Sequence, residues 1–130
     1  SCRIQIAVPF QQEISVIDDT FSLYDLKIEW LEGDRPCWCG AKAGDCFYLR
    51  GEHLEFPESQ TWSIYTLAAL LPLLPAKQRE TDPNDWMSTD NLIACPDPNC
   101  GSKFKINRLN RRTFSHSETT ANPLPRNKSK

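Results

Sequence analysis

Two cysteine pairs constrain this chain more than any other feature. Cys37-Trp38-Cys39-Gly40 is followed by Cys95-Pro96-Asp97-Pro98-Asn99-Cys100-Gly101, with 55 residues (40–94) between Cys39 and Cys95. A tetrahedral zinc site needs thiolates in close pairs on tight turns, and a following glycine lets the backbone leave each turn sharply. Two prolines stiffen the second loop, whose four-residue gap is at the long end of usual ligand spacing. The one-residue gap of the first pair is unusual for chelation from a single turn. The simplest ligand set is therefore Cys37, Cys39, Cys95 and Cys100, with Cys46 or His53 as the rival for one place. Cys46 opens the apolar run Cys46-Phe47-Tyr48 and reads more simply as a buried core thiol. His53, beside Glu52 in a predicted turn, reads more simply as a solvated side chain. His116 is isolated, and Cys2 is given no structural role.

Four thiolates close the tetrahedron, whereas catalytic zinc keeps a position open for water or substrate. The expected cofactor is thus a structural Zn²⁺, with no catalytic residue and no other cofactor site. Such an ion would tie together two distant segments and so compensate for a small core.

The alternative use of six cysteines is three disulfides. Against it, Ser1-Cys2-Arg3-Ile4 begins neither with the charge nor with the apolar core of an export signal, and the cysteines are sparser than in disulfide scaffolds. The longest apolar run, Leu67 to Leu74, is too short to span a bilayer and contains Pro72. These features point to a soluble cytoplasmic protein without a membrane partner. The net charge of −2 hides an asymmetry. Residues 111–130 hold Arg111, Arg112, Arg126, Lys128 and Lys130 against Glu118, a balance of +4, which leaves −6 on residues 1–110. An acidic body argues against nucleic acid as the partner, because phosphate neutralisation needs a basic face.

Hydrophobic periodicity supplies the rest of the fold. Ile4, Ile6 and Val8 alternate with polar or small residues as a strand ending at Pro9, and Ile14, Val16 and Ile17 suggest a second. From Tyr24 to Leu31, Tyr24, Leu26, Ile28 and Trp30 should face the core, with Asp25, Lys27 and Glu29 facing water. Cys46–Leu49 and Leu54–Phe56 read as a hairpin around Arg50-Gly51-Glu52. Ile64, Leu67, Ala68 and Leu71 lie at helical spacing, with Ser59, Thr61 or Ser63 as cap and Pro72 and Pro75 ending or kinking the helix near Leu71. Leu70 and Leu73 then lie either outside, on a surface suited to another subunit, or within a segment that forms the domain's own core, and the sequence favours neither. Thr81–Asp85 should turn or cap. Leu92–Ala94 should lead into the second cysteine pair, and Phe104–Ile106 out of it as a strand. The expected fold is α+β and mostly β: a zinc-ribbon-like domain over residues 1–110 with one proline-kinked helical segment and extended termini. Residues 111–130 are expected to form a basic, extended tail ordered on a partner.

Other chemistry is weakly represented. Asp82, Asp85 and Asp90 around Trp86 could serve acid–base work but read more simply as turn and cap residues. A dithiol oxidoreductase usually has two residues between its cysteines, not one. No phosphate-binding glycine loop, G-x-S-x-G or H-E-x-x-H segment is present.

Cys37-Trp38-Cys39-Gly40 with Gly44-Asp45, then Cys95-Pro96 with Cys100-Gly101, resembles the small zinc-binding subunit of acetone and acetophenone carboxylases, which are bacterial ATP-dependent ketone carboxylases. The 14.9 kDa mass also suits such a subunit. The resemblance implies a non-catalytic subunit whose metal ligands are Cys37, Cys39, Cys95 and Cys100. Carboxyl transfer would then belong to larger partner subunits. The longer Cys95–Cys100 loop departs from that family's compact C-P-x-C-G form. Residues 24–107, through Ser63–Leu67, Asp85-Trp86-Met87 and Cys95–Pro98, also resemble a family of short bacterial proteins of no known activity. The functional alternatives are a stand-alone thiol-redox or metal-dependent enzyme using Cys37, Cys39 or Cys46, and a free zinc-binding regulator.

Overall fold

A computed structural model describes residues 18–125. The strands expected at Ile4–Val8 and Ile14–Ile17, and Cys2, lie outside the described residues. Two compact units are present. One spans Ser22–Thr113; of the described residues, the other contains 18–21 and 114–125.

The larger unit is built on a five-stranded antiparallel sheet of order β3-β2-β1-β5-β4. Its centre is β1 (Thr20–Leu31), with β2 (Cys46–Arg50) and β3 (His53–Glu55) on one side. On the other lie β5 (Lys103–Ser115) and β4 (Leu92–Ala94). The alternation read from Tyr24 to Trp30 sets which face is covered: Leu26, Ile28 and Trp30 are buried. Phe47 and Leu49 pair with Ile28 and Leu26 and are buried with them. Phe104 and Ile106 of β5 complete the same layer. The hairpin expected around Arg50-Gly51-Glu52 forms, and Gly51 takes φ 62°, a left-handed conformation that glycine adopts without a Cβ clash.

Asp25 departs from the alternation. Expected to face water, it is 6% exposed. Its carboxylate accepts hydrogen bonds from Arg50 Nη1 at 3.1 Å and Arg112 Nε at 2.8 Å, so the charge is buried but paired.

Short helices cover the apolar face. Helix α1 (Ile64–Leu70) is capped by Ser63, whose Oγ accepts from Tyr65 N at 3.2 Å. It ends before Pro72, as the sequence requires. Helix α2 (Leu74–Lys77) follows at once with Pro75 in its first turn. The direction of the helical face decides between the two readings of this segment in favour of the domain's own core at Leu70. Ile64 is 71% and Leu71 43% exposed, whereas Leu70 is wholly buried with Leu74. The two short helices bury one continuous stripe, Thr66, Leu70 and Leu74 at intervals of four, with Lys77 three residues on. Spacing within α1 alone could not reveal a stripe that runs on through the Pro72 break.

Helix α3 (Trp86–Thr89) is capped by Asp85, which accepts from Met87 N at 3.1 Å. Lys77 clamps it from below: its buried ammonium donates to Met87 O at 2.7 Å and also to Asp90 O. Asp82, Asp85 and Asp90 thus shape a turn. Asp82 accepts from Asn84 N at 2.9 Å and Asp90 supplies its carbonyl.

In the smaller unit, Phe21 stacks on Phe114 with ring centres 5.5 Å apart. The short helix α4 (His116–Thr119) meets Asp19, whose carbonyl accepts from His116 N and whose carboxylate accepts from Ser117 N.

Candidate metal centre

The second cysteine pair occupies the connection between β4 and β5. Ala94 pairs with Lys103, and Cys95 N donates to Ser102 O at 3.1 Å, so the ladder closes on the loop from both sides. Inside it, Asp97 organises the turn through its side chain, accepting from Asn99 N at 2.9 Å, and through its carbonyl, accepting from Cys100 N at 3.2 Å. Ser102 N points at Cys100 Sγ, 3.4 Å away, and Ser102 Oγ lies 2.9 Å from the same sulfur. Backbone N–H groups directed at sulfur are what a thiolate-bearing turn requires. Ser102, which sequence reasoning passed over, is the residue that holds Cys100.

The first pair sits in the loop between β1 and β2. Gly40 (φ 81°) and Gly44 (φ 95°) turn this loop in left-handed conformations. Asp45 closes it: its carboxylate accepts from Lys42 N, and its carbonyl accepts from Trp30 N, each at 3.0 Å. The Gly44-Asp45 step thus returns the chain to the sheet.

Gly33 is where the two loops meet. A Cβ built on Gly33 would lie 2.2 Å from the Gly101 carbonyl carbon, and one on Gly101 would lie 2.6 Å from Asp34 Oδ1. Backbone packs directly on backbone here, and this contact brings the second loop beside the first.

The four expected ligands interact pairwise. Cys37 Sγ and Cys39 Sγ are 2.7 Å apart. Burial pushes the Cys37 thiol up, but hydrogen bonding with Cys39, Cys100 and Ser102 outweighs this and sets it below the ordinary thiol range. Cys39 is raised, first by burial and then by its hydrogen bond with Cys37, with the charge of Cys95 adding to the effect. At Cys100 the Ser102 hydrogen bond acts downward, yet burial and Cys37 leave the thiol raised. Each cysteine of the set is thus in electrostatic contact with at least one member of the other pair. Cys37 and Cys95 also pack against the sheet core.

Among the described residues, no group of three or more His, Cys, Asp or Glu side chains stands in a ready-made metal geometry. Zinc–sulfur bonds of about 2.3 Å place tetrahedral sulfurs about 3.8 Å apart, and Cys37 and Cys39 are closer than that. The four residues suit Zn²⁺ in donor type, since all are soft thiols.

The rival ligands lie elsewhere. Cys46 opposes Glu29 on the sheet face away from Phe47, half-buried rather than in the core, with its backbone held by Gln60. His53 is solvated, 3.9 Å from Glu52.

Beside the cysteines runs a groove of about 650 Å³ lined by Cys37, Trp38, Cys39, Ile64, Tyr65 and Cys95, among others. Trp38 is 80% and Tyr65 78% exposed. Comparison with family models, curated proteins and solved structures found no match. No helix of the described residues is long and apolar enough to cross a membrane.

Proposed function

We propose that this chain is a non-catalytic, zinc-binding interaction protein. Cys37, Cys39, Cys95 and Cys100 hold one structural Zn²⁺ in a zinc-ribbon-like arrangement, and the surface beside them docks larger subunits. The observation that carries the reading is the meeting of two cysteine loops so distant in sequence, each shaped by its own turn and pressed together at Gly33 and Gly101. With four thiolates on the ion there is no place for water or substrate, so the ion braces and does not catalyse. The exposed Trp38, Ile64, Tyr65 and Leu71 supply an apolar surface of the composition found at protein interfaces. The resemblance of the cysteine segments to the small subunit of acetone and acetophenone carboxylases makes an ATP-dependent ketone carboxylase the assembly proposed.

Native mass spectrometry of the full chain from its own cells tests both halves. The expected result is one zinc per chain, lost on Cys95→Ser or Cys100→Ser and retained on Cys46→Ser and His53→Ala, within a heteromeric assembly. A metal-free chain would overturn the zinc reading, and a zinc-loaded lone chain would overturn the subunit reading.

A further inference from the structure

The two cysteine pairs are built unequally. Cys100 is 6% exposed, and its sulfur is held by Ser102 from both the side-chain oxygen and the backbone N–H. Cys39 is exposed, Trp38 between the paired thiols is 80% exposed, and the groove of about 650 Å³ opens onto Cys37 and Cys39. The Cys37 and Cys39 sulfurs are in direct contact, the proximity that a disulfide between them requires. The loop that carries them turns on Gly40 and Gly44, both in left-handed backbone.

We propose that Cys37 and Cys39 form a redox switch: a peroxide oxidises them to a disulfide and the zinc site opens. The inference rests on the zinc reading for its ion-release half and on the thiol geometry alone for its disulfide half. Peroxide oxygen is attacked by one thiolate, giving a sulfenic acid and releasing water after protonation. The neighbouring thiolate then attacks that sulfur, the S–S bond forms, and the sulfenic oxygen leaves as a second water after taking up a proton. Two thiolates lose two electrons in total; one peroxide and two protons become two waters. Zn²⁺ keeps only Cys95 and Cys100, and a two-thiolate site binds it far more weakly than four. A thiol reductant returns both electrons and restores the site.

The test is stepwise hydrogen peroxide treatment of the full zinc-loaded chain. Released zinc is read with a chromogenic chelator, and disulfides by peptide mapping under non-reducing conditions. The expected result is one zinc released per Cys37–Cys39 disulfide formed, reversed by dithiothreitol with added zinc. Cys39→Ser and Cys46→Ser are the paired variants: the first abolishes the disulfide and the second leaves it. Zinc retained in full at peroxide levels that oxidise a free thiol would overturn the switch while leaving the zinc reading intact. So would a map showing Cys37 or Cys39 linked to Cys95 or Cys100, or carried on to sulfinic acid. A chain purified without zinc that still forms the Cys37–Cys39 disulfide would overturn the zinc reading and the ion-release half, and support the disulfide half.

Discussion

In the sheet core, Leu26, Ile28, Phe47 and Phe104 are almost wholly removed from water, and ring contacts tie Phe47 to Trp62 and Trp62 to Phe104 at 4.9 and 5.6 Å. The cysteine loops are held otherwise. Cys37 and Cys95 touch the core, but most of the loops' other contacts are backbone on backbone at Gly33 and Gly101 and hydrogen bonds around Asp45, Asp97 and Ser102, while Trp38 and Tyr65 are left in water. Apolar burial is non-directional and strong in sum, whereas a few local hydrogen bonds contribute only about 1 kcal/mol each. Burial therefore supplies most of what holds the sheet, and on the zinc proposal the cysteine loops would depend more on the ion than the sheet does.

The strongest attempt to break this comparison is Phe47→Ala or Phe104→Ala. Each should lower unfolding free energy by about 3–5 kcal/mol, with and without zinc, as measured by denaturant titration. A loss confined to the zinc-loaded form would mean the core is not independent of the loops.

Chelation is the reverse experiment. Removing zinc held at a thousandfold excess over its dissociation constant should cost about 4 kcal/mol, while near-ultraviolet signals from the core tryptophans persist. Global unfolding on chelation would erase the distinction between the two regions.

Gly33→Ala probes the junction. Its Cβ would collide with Gly101 backbone, which cannot rotate away, so the loops must separate. Loss of about 1–3 kcal/mol is expected, with weakened zinc affinity and an intact sheet by far-ultraviolet circular dichroism. Gly40→Ala meets no neighbouring atom and should cost less, from the left-handed φ alone, which makes it the matched control.

A smaller effect is expected at Lys77. Burial, then the nearby Arg108, holds its pKa below 10.5 in the folded protein. Between that lowered value and 10.5 the unfolded chain binds more protons, so this group's contribution to stability rises with pH across the window. Lys77→Met should remove the rise, read from urea midpoints at two alkaline pH values; an unchanged slope would assign it to another group. Smallest of all, Trp38→Ala should shift stability by no more than about 0.5 kcal/mol, because the ring is exposed. Its proposed effect is on assembly, read by co-purification with partner subunits.

Much of this was legible in the chain. The alternation from Tyr24 to Trp30, the Gly51 turn, the Ser63 and Asp85 caps and the stop before Pro72 are local rules, and local rules act within a few residues. The cysteine spacing singled out two loops, and the structure sets them against each other at Gly33 and Gly101. The same local reasoning missed Asp25, whose two arginine partners come from β2 and β5, and it rotated α1 because the buried stripe continues past a proline into α2. Ser102 left a faint signal in its place two residues after Cys100, but a hydroxyl near a cysteine has many roles.

The sequence by itself determined which segments extend, turn and cap, and where the paired thiols lie along the chain, because these follow from periodicity and backbone restriction. The tertiary structure alone decided that Gly33 and Gly101 abut, that Asp25 is buried between Arg50 and Arg112, and that Cys37 and Cys39 face an open groove while Cys100 does not. Those outcomes depend on contacts between residues far apart in the chain, and such contacts exist only once the strands have been placed side by side.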